Sequence, residues 1–447
     1  MRIYNIFFAA ALLLLGTGCD FFSLDEPQPN AALGSEFAII DLPSARTARN
    51  GLYNELQLGA AFDGYLASWQ YFSDESDWSG TFPTREEFDI FTVLPSNNTL
   101  AGFFTDYYQA INAANTLLDR LPTVDDENLT DEVENSFAGE ARFVRALMYL
   151  YLTQGWGDVP LVLTGTTVAD ESLNVRASPR SEVLDQIETD LEFARANIVD
   201  GTTLGITTQA ATALLARVKL YREQYEEAYD LAVAALGGEE FDLTAFNYLE
   251  DVIFQLEYSS IDGGSFAFFY GPSALNGRYS IHPSDTLIGS YEDGDLRFEQ
   301  SIAFLGADPY SLKYDDFQST AGAQNDPILF IRHAEMVLIA AEAQAELGNF
   351  DLANQWFNQV RQRAGLDDID LGDSDGNDRE FIDIILQERW IEFAQEGPQR
   401  LWDLRRTGRA LDRLGPLGYD DCDDVWPFPV RELDRNPNLE QNGACNG

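Results

Sequence analysis

The chain has 447 residues, 45% of them apolar and 13% aromatic, with 75 acidic against 28 basic side chains and a formal net charge of −47. No run of basic residues exists, so nucleic acid is excluded as a partner, because its binding rests on clustered cations that release counterions. Strongly anionic polysaccharides are disfavoured for the same reason, while the apolar share is enough for a large core.

The N-terminus opens with Arg2 and nine uninterrupted apolar residues, Phe7 to Leu15. Nine is too short for a bilayer span of about 20 residues and fits the apolar region of a secretory leader. The leader ends in Leu15-Gly16-Thr17-Gly18-Cys19, similar to a processing site at which the cysteine is acylated. Gly16 departs from that pattern, since a bulky aliphatic residue is commoner there. We expect a signal peptide over 1–18, a lipidated Cys19 with an extended tether over 19–35, and one large domain over 36–447. No Pro/Gly/Ser-rich linker divides that domain. Several acyl chains at about 0.8 kcal/mol per buried methylene give stable anchoring.

The first informative stretch of the domain is Trp69-Gln70-Tyr71-Phe72-Ser73-Asp74-Glu75-Ser76-Asp77-Trp78, running on to Phe82 and Phe91. Aromatics alternate with side-chain acceptors there, and the stretch reads as an irregular loop. A sugar ring is apolar on its faces and edged with hydroxyls, so it needs aromatic platforms flanked by donors and acceptors. One covered ring face of roughly 50–100 Å² contributes about 1–2.5 kcal/mol. Trp69, Tyr71, Asp77, Trp78 and Phe82 are therefore candidate ligand contacts.

Phe103 to Leu121 and Ser136 to Leu152 carry apolar residues at helical spacing. Gln209 to Leu236 is a helix–turn–helix with an Ala-rich interior, and His333 to Leu366 repeats the layout around Gly348-Asn349. Small residues at i, i+3 and i+4 let antiparallel helices approach closely, and about 34 residues per pair resembles a tetratricopeptide repeat. Between the pairs lie two further irregular aromatic stretches, Tyr258 to Tyr291 and Tyr310 to Asp326. The first supplies three more candidates, Tyr270, Arg278 and Tyr279, although alternation at Phe266 to Gly271 also fits a buried strand.

Asp370, Asp373, Asp375, Asn377 and Asp378 resemble a calcium loop. Leu371 stands where the first Asp of that pattern belongs, and no Glu closes it, so a solvated acidic loop is the preferred reading and no metal or cofactor is assigned. Cys422 and Cys445 are the only cysteines after Cys19, and in an oxidising exterior they are expected to close a C-terminal loop. Unpaired buried thiols are the alternative. With only two lysines and so many carboxylates, the surface also fits a saline medium, in which salt screens self-repulsion.

Five ordered segments together resemble the SusD/RagB family of outer-membrane nutrient-binding lipoproteins. They are Leu24-Asp25-Glu26-Pro27; Gly139 to Ala146 with Gly157-Asp158-Val159-Pro160-Leu161; Arg332 to Ala343 with Val360 to Leu366; Glu388 to Gly397 with Trp402 to Arg406; and Trp426 to Asn442. The resemblance implies a mainly α fold, a single large domain of tetratricopeptide-like pairs near 209–236 and 333–366, with long aromatic loops and a few short strands. It also implies an outer-membrane surface location, a SusC-type TonB-dependent β-barrel as partner, capture of glycans or in some members peptides, and no catalysis. The charged residues of the fourth segment, Glu388, Glu392, Glu396, Arg400, Asp403, Arg405 and Arg406, are read as scaffold ion pairs.

Two other functions compete with capture of a neutral oligosaccharide. A glycoside hydrolase needs only a carboxylate pair, and 75 acidic residues place some pair within range by chance. Two histidines, His282 and His333, and the lack of a Gly-rich phosphate loop argue against zinc, triad or phosphoryl chemistry. The second competitor is a repeat scaffold that binds only proteins.

Overall fold

The computed structural model describes residues 38–59, 63–166, 174–199, 205–244, 247–372 and 380–442. The leader, Cys19, the tether, Cys445 and the acidic residues Asp373 to Asp378 lie outside these. Among the described residues the chain is mainly helical, with a few short strands.

The scaffold is a continuous stack of helices. It comprises α1 (Leu42–Leu58), α2 (Asp63–Tyr71), α3 (Pro83–Asp89), α4 (Asn98–Arg120), α5 (Asp131–Trp156), α6 (Arg180–Asn197), α7 (Thr208–Tyr221) and α8 (Tyr225–Leu236), and a later helix pair rejoins it. Along the stack α4 packs on α5, α5 on α6, α6 on α7 and α7 on α8. Helix starts follow the local chemistry. Asn97 caps α4 by accepting from the backbone N–H groups of Thr99 and Leu100, and Thr130 and Thr207 cap α5 and α7. Asp131, Glu132 and Glu134 place negative charge on the first turn of α5, where the helix dipole favours it.

The chain then leaves the stack and returns. The excursion begins in β4 (Val252–Leu256) and ends in β8 (Ile328–Arg332), which pair antiparallel through an irregular register. It contains the one-turn helices α9 (Phe266–Tyr270), α10 (Asp285–Ile288) and α11 (Phe298–Ser301), strand β5 (Ile281–Pro283) and the hairpin β6–β7 (Ile302–Leu305, Asp308–Ser311). Phe266 to Tyr270 is thus helical, not a strand. Stacking resumes in α12 (His333–Glu346) and α13 (Phe350–Arg363), and α12 packs on both α8 and α13. Ala210, Ala211, Ala213, Ala216, Ala228, Ala232, Ala334, Ala340, Ala341 and Ala343 are all fully buried at these contacts, as the small-residue spacing predicts. Two short sheets complete the frame: β2 (Val159–Pro160) with β3 (Ala177–Ser178), and β1 (Ser76–Trp78) with β5.

The C-terminal helices are α14 (Glu380–Glu392), α15 (Gln399–Arg406), α16 (Ala410–Leu414) and α17 (Val430–Arg435). They carry a buried ion network that reaches far beyond their own turns. Glu392 meets Arg332, Arg363 and Arg297 at 2.8, 2.5 and 3.2 Å. Glu388 meets Arg297 and Arg361, and Glu396 meets Arg332 and Lys313. Asp403 pairs with Arg389 and Arg406, and Arg406 reaches Glu342 on α12. Arg405 instead donates to the carbonyls of Gln154 and Asp423. Three arginines hold the Glu392 carboxyl well below the usual carboxylate range although burial opposes it. Cys422 is disulfide-bonded.

Candidate functional site

The C-terminal signature does its work one layer beneath the surface. Arg400 grips the Asp74 carboxylate with two N–H groups at 2.7 and 2.6 Å, a bidentate geometry only arginine supplies. Gln395, held at a positive φ of 60°, donates its backbone N–H to Glu75 and its side-chain amide to Ser76 Oγ at 2.9 Å. The Gln395 carbonyl accepts from Gln70 and from the Tyr314 hydroxyl. Residues 74–76 are thereby locked, and they lead directly into β1.

From the other side, β5 pairs with β1 so that Asp77 lies opposite His282 and Trp78 opposite Ile281. The Ser79 backbone N–H extends the ladder to the Ser280 carbonyl at 2.9 Å, and its hydroxyl donates to the Tyr279 carbonyl at 2.8 Å. Two regions 200 residues apart are thus joined in one small platform.

The platform presents an aromatic cluster. Trp78 is largely buried and stacks on Phe82, centroids 6.2 Å apart and planes 27° apart. Gly80 lies against the indole so closely that a Cβ would fall 2.1 Å from its ring. The Trp78 backbone N–H donates to Asp89 at 3.0 Å. Phe82 keeps 39% of its surface exposed. The Arg278 guanidinium lies 4.5 Å from the Phe82 centroid and donates to Thr81 Oγ1 at 2.8 Å. Arg85, buried on the first turn of α3, lies 5.0–5.4 Å from the centroids of Trp78, Phe82 and Phe269. Cation–π attraction of this kind contributes about 0.5–2 kcal/mol per contact, more as water is excluded.

Tyr279 forms the adjoining corner. Its backbone adopts φ 53°, a region costly for an aromatic residue. Its ring stacks on His282 at 5.1 Å, and its hydroxyl donates to the Pro309 carbonyl of the β6–β7 hairpin at 2.9 Å. Loss of water, with Asp308 nearby, raises the Tyr279 hydroxyl to about 12. Burial pushes the Asp89 carboxyl up to about 6 and raises the exposed-edge carboxyl of Asp77 as well. The exposed surface therefore combines one aromatic face, a guanidinium, hydroxyls and a carboxylate, the set of groups that suits a ring with an apolar face and polar edges.

Of the eight expected ligand contacts, Asp77, Trp78, Phe82, Arg278 and Tyr279 are brought together here. Trp69 and Tyr270 are not, and Tyr71 meets the cluster only from the core side, its ring 5.7 Å from Trp78. All three are fully buried: Trp69 packs against Trp426 and Trp402 at 4.1 and 5.5 Å, Tyr71 bonds Ser68, and Tyr270 bonds Gln70 beneath the platform. They are core residues, and the expected loop Trp69 to Phe91 is instead α2, β1 and α3 around a short turn. Phe269 and His282 reach the cluster through contacts distant in sequence, and Arg85 joins it through nearby Trp78 and Phe82 as well as distant Phe269.

A larger cavity, about 920 Å³, lies elsewhere, between α4, the strand after α5 and α17. Three of its polar lining groups serve the scaffold: Asn115 donates to the Val162 carbonyl, Tyr108 to the Pro160 carbonyl, and Asn112 accepts from the Thr166 N–H. Among the described residues no three His, Cys, Asp or Glu side chains are placed to hold a metal ion. Asp370, the described residue of the acidic loop, accepts from Asn354 and from the Gly372 N–H.

A family model described as the SusD family matches residues 307–444, and a second, described as starch-binding associating with outer membrane, matches residues 61–220. SusD-like protein P38 of Formosa agariphila is 25% identical over 501 residues, covering 96% of this chain and 97% of its own. SusD-like protein P2 of the same organism is 26% identical and covers 99% of each. Among solved structures, a SusD superfamily protein from Bacteroides vulgatus aligns with a TM-score of 0.77 at 21% identity over 90% of this chain and 99% of its own. A laminarin-binding SusD-like protein aligns with a TM-score of 0.76 at 21% identity over 91% and 100%.

Proposed function

The chain belongs to the SusD/RagB family, and from that premise we propose that it captures an oligosaccharide at the cell surface and passes it to a SusC-type TonB-dependent barrel. The observation that carries the reading is the exposed Phe82 face beside Arg278, stacked on Trp78 at the end of a strand pair locked from beneath. A platform of this kind binds a ring without needing to strain or protonate it, so the reading is capture without cleavage. The likeness to a laminarin-binding structure and to a starch-binding family model supports a glycan as cargo.

A neutral glycan fits best, because a net charge of −47 repels anionic chains as they approach. One partly exposed platform gives an affinity nearer millimolar than nanomolar after association costs, which suits a protein that hands its ligand on. Anchoring falls to Cys19, and none of the described helices is long and apolar enough to cross a membrane.

Uptake of a fluorescent oligosaccharide by cells carrying wild type or Cys19→Ser tests capture and delivery together. The proposal expects uptake to fall to background in the variant while the protein itself remains folded in soluble fractions. Unchanged uptake contradicts it.

A further inference from the structure

We propose that a separate cavity of about 330 Å³, lined by Tyr248, Lys313, Asp315, Asp316, Asn325 and Asp326, is a second ligand site taking a single neutral sugar ring. The class of ligand rests on the carbohydrate reading above; the unmet acceptor that points to a ligand does not.

That acceptor is Asp326, a residue only 7% exposed. Its Oδ1 accepts from the backbone N–H groups of Asp315 and Asp316 at 2.9 and 3.1 Å. Its Oδ2 is buried and meets no donor. A buried oxygen left so costs about 1–3 kcal/mol, and more when charged, so a ligand hydroxyl that reaches it is strongly favoured. Burial pushes this carboxyl up to about 6, which leaves it ionised above neutrality.

The donor is not a metal ion. Both Asp316 oxygens are already engaged, Oδ1 by the Ser319 N–H at 3.2 Å and Oδ2 by the Asn325 N–H at 3.0 Å. Lys313 places an ammonium in the same lining, bonded to Glu396 and 4.2 Å from the Tyr248 centroid. Among the described residues no three His, Cys, Asp or Glu side chains are placed to hold a metal ion, so the missing donor is assigned to a neutral hydroxyl. The Tyr248 ring supplies an apolar wall, and Asp315 and Asn325 add polar groups to the same lining. The volume lies at the lower end for small-molecule sites, with space for one ring and not an oligomer.

The cavity is held in place before any ligand arrives. Its loop is pinned to α9 by the Gly264 N–H donating to the Gln324 carbonyl at 2.8 Å and by the Phe268 N–H donating to the Gln324 side chain at 3.0 Å. Its floor, Lys313, is tied through Glu396 to Arg332 and the buried ion network. No lining residue is shared with the aromatic cluster.

The test uses the full chain after its leader, Asp20–Gly447, with D-glucose, D-galactose, D-mannose and D-xylose as separate probes in saturation-transfer NMR. At least one sugar is expected to give a saturable signal in wild type that persists in Phe82→Ala and falls at least fivefold in Asp326→Asn. Asparagine keeps an oxygen for the two backbone donors and turns the free acceptor into a donor, so the loop retains its anchor. Tyr248→Leu, which removes the wall alone, is expected to weaken the same signal. Silence from all four sugars, while oligosaccharides still bind, overturns the second site and leaves capture standing. A signal lost in Phe82→Ala and kept in Asp326→Asn overturns it too, placing the sugar on the aromatic cluster. Silence from monosaccharides and oligosaccharides alike defeats both readings.

Discussion

Replacing Phe82 by alanine isolates the platform's contribution to capture. A phenylalanine side chain presents roughly 200 Å², and Phe82 keeps 39% exposed, so roughly 80 Å² remains for a ligand to cover. At about 25 cal/mol per Å², covering all of it contributes about 2 kcal/mol, or about 30-fold in Kd. A sugar ring lies on one face only, which halves the gain to about 1 kcal/mol, about fivefold. Phe82→Ala is therefore expected to weaken oligosaccharide binding between about 5- and 30-fold. Phe82→Leu retains apolar area but removes the flat ring beside Arg278, and its loss falls between wild type and alanine. Calorimetric titration at several protein concentrations reads these differences directly. The melting temperature reports whether the fold survives loss of the ring's contacts with Trp78, Arg85 and Arg278. A Kd within twofold of wild type, in a protein that melts normally, refutes the platform.

Glu392 sits among three arginines in the buried network, so Glu392→Gln leaves cations without their partner and is expected to cost about 3–5 kcal/mol in urea unfolding. A loss under 1 kcal/mol contradicts the network's role. Stability is also expected to peak in mild acid. Burial raises the folded-state pKa of Asp89, Asp326 and Asp423 to about 6, so each disfavours the fold above that pH and is relieved as pH falls through it. Glu392 and Asp403, held low by arginines, stabilise above the unfolded carboxylate range and lose that contribution as pH falls below it. Asp89→Asn removes part of the gain between pH 7 and pH 5, and an unchanged profile in thermal melts contradicts that assignment. In Gly80→Ala the new methyl meets the Trp78 ring, so it is expected to weaken ligand binding and to shift tryptophan fluorescence. Unaltered binding and emission mean that the turn yields without moving Trp78.

The stacked helices were legible because their reason is local. Alanines at i, i+3 and i+4 in 209–236 and 333–366 admit close helix contact whatever surrounds them, and the boundaries observed lie within a few residues of those expected. The candidate platform was legible only as regions. Trp69 and Trp78 are both tryptophans flanked by polar side chains, yet one lies in the core and the other beneath Phe82. What separates them is Trp426, more than 350 residues from Trp69 in sequence, whose ring covers Trp69. Arg85 follows a helix-starting proline and reads as an ordinary surface charge; only Phe269, brought in by the β1–β5 pairing, turns it into the centre of an aromatic cage. The charges from Glu388 to Arg406 read correctly as scaffold, but their partners at Asp74, Arg297 and Lys313 became visible only in three dimensions. They support the site at one remove, by fixing the strand that ends in Trp78.

Capture without cleavage is tested most directly by titrating the chain Asp20–Gly447 calorimetrically with laminarin oligosaccharides, other neutral and acidic oligosaccharides, and peptides, then chromatographing each mixture. The account predicts saturable heat with at least one neutral oligosaccharide, recovered intact, and a loss of that heat in Phe82→Ala. Cleaved ligand, or saturable binding confined to peptides, contradicts it.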